Sequence, residues 1–346
     1  MRRAKKRFMA ACGALSLCLA MVQGAPAVMA ADWASVIMYH RFGEDQYPST
    51  NIRIEQFREH IAELKNGPYT VLPLNEIVDR LESGEALPDR TVALTMDDAY
   101  LSVYEVAWPL LKEANLPFTV FVAVEGVDRQ LPGIMSWDQL RELRDAGVHI
   151  GHHTYSHSHL PTMSAEEIET DINRASERYQ AELGFVPAIF AYPYGEYGND
   201  VKSVIRQLGF KAAFGQQSGV AFSGHDRLEL PRFTMSENYG GIGRFRLAAN
   251  ALPLRVTDVT PSDNVLKRNP PNFGFTLVED YGNLSGLSCF SSNQTGGAVP
   301  IEKIGDSRIE IRLSSAFKPG RGRINCTLLG PERRWRWFGS LFYIPD

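Results

Sequence analysis

Two short windows of the sequence hold residues of the types and spacing used by hydrolytic metal sites. Asp97 and Asp98 close the strongly apolar run Val92–Met96. Such a run reads as a parallel strand buried on both faces, and its carboxyl end is where α/β folds deliver ligand-binding side chains. Neighbouring residues at a strand end point in different directions, so one carboxylate can ligate a metal while the other stays free as a base. His153 and His157 follow another short apolar run, Val148–Ile150. Their spacing predicts two imidazoles on one side of a helical turn, a geometry suited to Zn²⁺. Four of the chain's 8 His fall between His152 and His159. Together the windows predict an Asp-His-His metal site with positions open to water. Two imidazoles and one carboxylate also suit Fe(II), Co(II) or Ni(II), so ligand type leaves the metal open. A third window, Phe190 to Gly195, ends another strand in a Pro-Tyr-Gly turn. It is either a plain tight turn or a device that aims a backbone N–H into the site.

The elements that must position these windows alternate along the chain. From Ser35 to about Phe214, β-rich apolar runs at 36–39, 92–96, 118–122, 148–150, 188–191 and 212–214 are separated by helical patterns. Phe57, Ile61 and Leu64 recur at helical spacing, Leu140 and Leu143 do the same within 137–146, and Ser164 with Glu167 forms a capping box opening a helix to Leu183. This is the pattern of βα units around a parallel sheet. An open doubly wound sheet and a (β/α) barrel both fit it. After about Val256, Pro and Gly punctuate short runs such as 273–278, 309–313, 323–328 and 341–344, which predicts a small antiparallel sandwich.

The first thirty residues read as an export signal: five basic residues by Arg7, an apolar stretch to Val22, and Ala27-Val28-Met29-Ala30 for cleavage. The apolar stretch is shorter than the ~20 residues of a membrane span, so no integral membrane segment is expected after cleavage. Removing that segment takes the net charge from -4 to -9. A negative chain with no basic stripe is a poor nucleic-acid binder. Residues 258–346 carry 11 Lys/Arg against 9 Asp/Glu, leaving the preceding part near -11. Of 4 Cys, Cys12 and Cys18 leave with the signal, so Cys289 and Cys326 are expected to form one disulfide in an oxidising compartment, with two buried thiols as the alternative.

The windows resemble the motifs of the polysaccharide deacetylases (NodB homology, carbohydrate esterase family 4). Thr95-Met96-Asp97-Asp98 is similar to their T-F-D-D, His153–His157 to their H-[ST]-x-x-H, and Tyr192–Gly195 to the end of R-x-P-[YF]-G. Met38-Tyr39-His40-Arg41, Ser136–Leu140 and Asp145-Ala146-Gly147 resemble the exported branch that acts on poly-N-acetylglucosamine. The likeness covers about Ser35 to Met235. It implies an α/β fold, a distorted (β/α) barrel, over residues 31–256; the small all-β domain read from the turn signals follows over 257–346 and lies outside the likeness. It further implies one divalent metal, zinc first with cobalt or nickel as alternatives, held by Asp98, His153 and His157. Asp97 would be the general base, and the backbone N–H of Tyr194 would hold the oxyanion.

Two departures stand out. The family's arginine falls at Ala191, and Arg232 is either its replacement or a plain surface residue. The family's late L-x-H, source of the general acid, is not recognisable; His40 is the candidate, against a core or supporting role. The implied activity is metal-dependent removal of N-acetyl groups from an exported GlcNAc-containing polysaccharide, in a periplasm or outside the cell. The alternatives are an O-acetyl esterase on a polysaccharide such as xylan and an inactive carbohydrate-binding protein. An acidic catalytic domain would suit a product that gains amines. Trp335 and Trp337 alternate on a strand, a pattern of half core and half rim.

Overall fold

The computed structural model describes residues 30–294 and 297–346. The export signal expected over residues 1–30 and the thiols of Cys12 and Cys18 fall on residues 1–29, outside the described residues. No described helix is long and apolar enough to cross a membrane.

The predicted strands form a parallel set: β1 (Trp33–Tyr39), β2 (Thr91–Asp97), β3 (Thr119–Val122), β4 (His149–His152), β5 (Ile189–Ala191) and β6 (Ala212–Phe214). They lie side by side in the order β6-β5-β4-β3-β2-β1. The choice between open sheet and barrel is made by residues 230–234. Leu230 bridges Phe214 in parallel, and β7 (Phe233–Thr234) pairs in parallel with Ile37 and Met38 of β1. One short segment therefore joins the two ends of the curl. Helices cover the outside: α1 (Ile54–Asn66), α2 (Leu74–Ser83), α3 (Trp108–Ala114), α4 (Trp137–Asp145), α5 (Ala165–Leu183), α6 (Asn199–Gln207) and α7 (Ile242–Ala249). Of these α2, α3, α6 and α7 are not marked by the sequence periodicity read above. The Ser164 capping box does open α5, with both of its reciprocal hydrogen bonds present.

Side-chain alternation sorts the core. Ile37, Val92, Leu94 and Met96 belong to the large cluster, whereas Ala34, Val36, Ala93, Ala191, Ala212, Phe214 and Leu230 belong to a smaller one that Leu74, Ile77 and Val78 of α2 also join. The strand period of two puts Thr95 and Asp97 on the same face as Ala93, and Arg232 on the same face as Leu230. Small alanines on that face leave room for large polar groups at its carboxyl end.

The C-terminal part is a two-sheet sandwich, as expected. One sheet holds β8 (Val256–Thr260), β9 (Phe273–Leu277), β12 (Arg308–Ile311) and β11 (Ile301–Ile304); the other holds β10 (Ser288–Ser291), β13 (Gly320–Leu329), β14 (Trp335–Ile344) and the strand Leu252–Pro253. Phe273, Phe275, Ile324, Phe342 and the cystine fill the space between them. Cys289 and Cys326 face each other across β10 and β13 and are joined by the expected disulfide, closing a separation of 37 residues. The sandwich packs on the barrel. Trp337 meets Phe233 edge to face at 5.4 Å, while Trp335 is exposed, the division expected for a half-core, half-rim pair.

Candidate active site

Asp97 is fully buried at the end of β2, with Arg232 fully buried beside it. The guanidinium holds the carboxylate with two parallel bonds: Nη1 donates to Oδ1 at 2.7 Å and Nη2 to Oδ2 at 2.8 Å. Arg232 Nε donates to the carbonyl of Gly215 at 3.0 Å, which fixes the plane of the fork. Arg232 is therefore no surface residue, and the barrel-closing segment is what carries it inward. Burial alone pushes the Asp97 carboxyl up, but Arg232, His153 and His40 outweigh it and hold it below the ordinary value. The acid stays ionised as a fixed, oriented base or acceptor.

His40 directly follows β1, buried, with Nε2 4.0 Å from Asp97 Oδ2. Its Nδ1 is buried without a hydrogen-bond partner. Burial pulls its imidazole down from the ordinary value against the pull of Asp98 and Asp97, so a neutral ring faces the carboxylates.

Asp98, His153 and His157 converge, each offering one ligand atom, with those atoms all within 4.8 Å of one another. Asp98 Oδ1 lies 3.2 Å from His153 Nε2 and 3.0 Å from His157 Nε2, yet it makes no hydrogen bond. Bonds of about 2.0–2.1 Å in tetrahedral array give ligand-to-ligand edges near 3.3 Å. The spacing is thus that of neighbouring ligands. The tautomer agrees: His153 Nδ1–H donates to the carbonyl of Ala191 at 2.7 Å, leaving Nε2 as the lone-pair nitrogen. The donor set fits a divalent cation.

The histidine window corrects one expectation. Residues 153–157 form no helical turn; Thr154 and His157 are left-handed, with φ of 67° and 54°. Local hydrogen bonds hold the loop instead. His157 N–H donates to Thr154 Oγ1 at 3.0 Å, and Asp171 of α5 accepts from the Tyr155 and Ser156 N–H groups at 2.9 and 3.1 Å. Asp171 is a positioning residue that no motif flagged. Asp98, at φ 75°, and Tyr194, at φ 58°, are left-handed too. Such conformations cost energy and persist where the surroundings over-determine them, as at functional sites. The other two histidines of the cluster do different work. His152 is buried beside Ser176, and His159 bonds Glu196 at 2.6 Å and stacks on Tyr194.

The rings of Tyr194 and His157 meet edge to face with their centroids 4.6 Å apart. His40, Asp98, His157 and Tyr194 line one cavity of about 740 Å³, with Asp97, His153 and Arg232 fully or almost fully buried. The structure therefore gathers all seven residues singled out in the sequence. It adds three that were not: Arg244 from α7, and Arg321 and Arg323 from β13, which line the same cavity. No motif marks them, because the sandwich strand reaches the site only through tertiary packing.

A family model for polysaccharide deacetylases matches residues 84–213, the stretch that holds the Asp pair, His153, His157 and Tyr194. Over that stretch the chain is similar to the polysaccharide deacetylases. The matched model and the relatives indicate a hydrolase, and the solved deacetylases share the fold. IcaB from Ammonifex degensii is 26% identical with a TM-score of 0.57, covering 64% of this chain and 98% of that one. Among sequence relatives, the poly-beta-1,6-N-acetyl-D-glucosamine N-deacetylase of Staphylococcus aureus (strain MRSA252) is 24% identical over 61% of this chain and 77% of its own length. The enzyme of that name from Escherichia coli (strain K12) is 24% identical over 54% of this chain, but only 34% of its own length is spanned. The deacetylase likeness to IcaB leaves about a third of the chain uncovered.

Proposed function

We propose that this deacetylase removes N-acetyl groups from an exported GlcNAc-containing polysaccharide, releasing acetate and leaving a free amine. The observation that carries the reading is the oriented carboxylate of Asp97, bidentate to Arg232, beside three converging donors around Asp98. In this reading Asp98, His153 and His157 hold one divalent ion, zinc before cobalt or nickel. Such an ion, when bound, polarises the amide carbonyl and lowers the pKa of a water towards neutrality. Asp97 takes the proton of the attacking water, with Arg232 keeping its oxygens aimed. The Tyr194 N–H steadies the charge that develops on the carbonyl oxygen. A neutral His40, 4.0 Å from Asp97, receives that proton and passes it to the departing nitrogen.

Arg232 at Asp97 supplies the guanidinium that Ala191 lacks, and with it goes one of the two arguments for a non-catalytic binder. The N-acetyl preference draws support from the names of the relatives above. Acetate release from β-linked GlcNAc oligomers with added zinc, cobalt or nickel tests the reading. Asp97→Asn is expected to lower kcat by about 10²–10⁴ while metal content by elemental analysis stays at one ion. Release from acetyl esters but not from amides would overturn the N-acetyl reading, and no metal-dependent release from either would favour a binder.

A further inference from the structure

Arg244, Arg321 and Arg323 line the same cavity as Asp98 and His157. Many arginines of the described residues are paired with carboxylates, as Arg178 is with Asp128 and Arg334 with Asp89, and others without such a partner, among them Arg58, Arg174 and Arg336, do not line this cavity. Arg244 and Arg323 are different. Among the described residues no carboxylate lies within 4.0 Å of either guanidinium. Arg244 Nε is buried with no hydrogen-bond partner, and its guanidinium is flanked by the rings of Tyr239 at 5.5 Å and Trp337 at 5.6 Å. Burial, with the like charge of Arg321 beside it, lowers the Arg323 group from its ordinary value, and burial does the same to Arg244.

Arg321 is loosely engaged, donating to the Tyr194 carbonyl at 3.3 Å and standing 3.7 Å from Glu196. The cavity's two acids do not answer this charge: Asp98 belongs to the donor set, and Glu125 is taken by Arg129 at 3.1 Å. A half-buried guanidinium such as that of Arg244 or Arg323 without a counter-charge is unfavourable, and its planar fork matches carboxylate or phosphate oxygens.

We propose that Arg244, Arg321 and Arg323 form an anion-binding subsite, so that the glycan carries a carboxylate or phosphate close to the sugar being deacetylated. The proposal rests on the deacetylase reading above. It reverses, at the cavity, the expectation drawn from net charge that an acidic catalytic domain would favour a cationic product.

The test compares three sets of oligomers of equal length: neutral β-linked GlcNAc, GlcNAc alternating with a hexuronate, and GlcNAc joined through phosphate. At low salt kcat/KM is expected to favour one anionic set by about tenfold or more, since hydrogen bonds to charged groups are the strong ones. Whichever anionic set wins names the group. The Arg244→Gln, Arg323→Gln double variant is expected to bring the anionic-to-neutral ratio towards one, with the Lys counterparts retaining part of it. Should the double variant fail to fold, wild-type Kd values answer instead: anionic oligomers are expected to weaken with salt and neutral ones to hold.

Equal kcat/KM for all three sets, a ratio that survives the double variant, or a flat salt response would overturn the subsite. Binding by the Asp97→Asn chain separates the two ideas. Preferential binding of anionic oligomers with no turnover of any set by wild type would sink the deacetylase reading and leave the subsite standing.

Discussion

Inside the barrel, charged groups answer one another: Asp97 with Arg232 at 2.7 and 2.8 Å, and Asp98 with two imidazoles at 3.2 and 3.0 Å. Where the sandwich meets the cavity, Arg323 is left without a carboxylate, and Arg244 of α7 is flanked by Trp337 of the sandwich. The barrel's acids are answered from within the barrel, which is what fixed chemistry needs. The sandwich edge is incomplete without something from outside, which is what selection of a substrate needs. The two parts are also held differently. The barrel relies on parallel strands sealed by residues 230–234, and the sandwich on long antiparallel pairs and a cystine.

The comparison breaks first at Arg232. Arg232→Ala leaves the fully buried Asp97 without its partner, which is expected to cost about 3–5 kcal/mol of stability. It should also lower kcat by well over tenfold, with metal content retained, as read by chemical denaturation and elemental analysis. Stability and kcat close to wild type would mean that the pair is not the barrel's keystone. Next comes the cystine. The Cys289→Ala, Cys326→Ala variant loses the closure of a 37-residue separation, worth about 4 kcal/mol on the chain-entropy account. Amide exchange should rise across β10 and β13 while metal binding stays in place; a loss of metal would mean that the sandwich helps to build the barrel site.

The smallest effect concerns acid. His60 is buried in the barrel between the Tyr39 hydroxyl and the Gly240 carbonyl and is held down to about 4, chiefly by burial. His225 is likewise down to about 4, while the sandwich, residues 257–346, has no histidine. Below about 6.5 the unfolded chain takes protons that these buried rings refuse, so stability falls as pH drops from 6.5 towards 4. Each is expected to cost about 2 kcal/mol between pH 7 and pH 5. His60→Asn should shallow that slope in denaturation at the two pH values, and amide exchange at pH 5 should rise in the barrel before the sandwich. An unchanged slope would remove His60 from the account.

Much of the site was legible because strand ends in a parallel sheet converge, so three short windows already name Asp97, Asp98, His153, His157 and Tyr194. The windows were weaker on local form. Thr154 and His157 are left-handed because Asp171, fourteen residues further on, accepts the loop's N–H groups, and no spacing rule carries that information.

By itself the sequence determined which strands and sheets could form: alternating βα units, a turn-rich β segment with two cysteines, and a set of metal-binding types at strand ends. These follow from periodicity and residue chemistry, both local. Only the tertiary structure decided that the curl closes through residues 230–234, that Arg232 thereby reaches Asp97 across 135 positions, and that β13 brings Arg321 and Arg323 to the cavity. Those contacts join segments far apart in the chain, and they depend on which surfaces pack together, a choice that hydrophobic burial makes over the whole molecule.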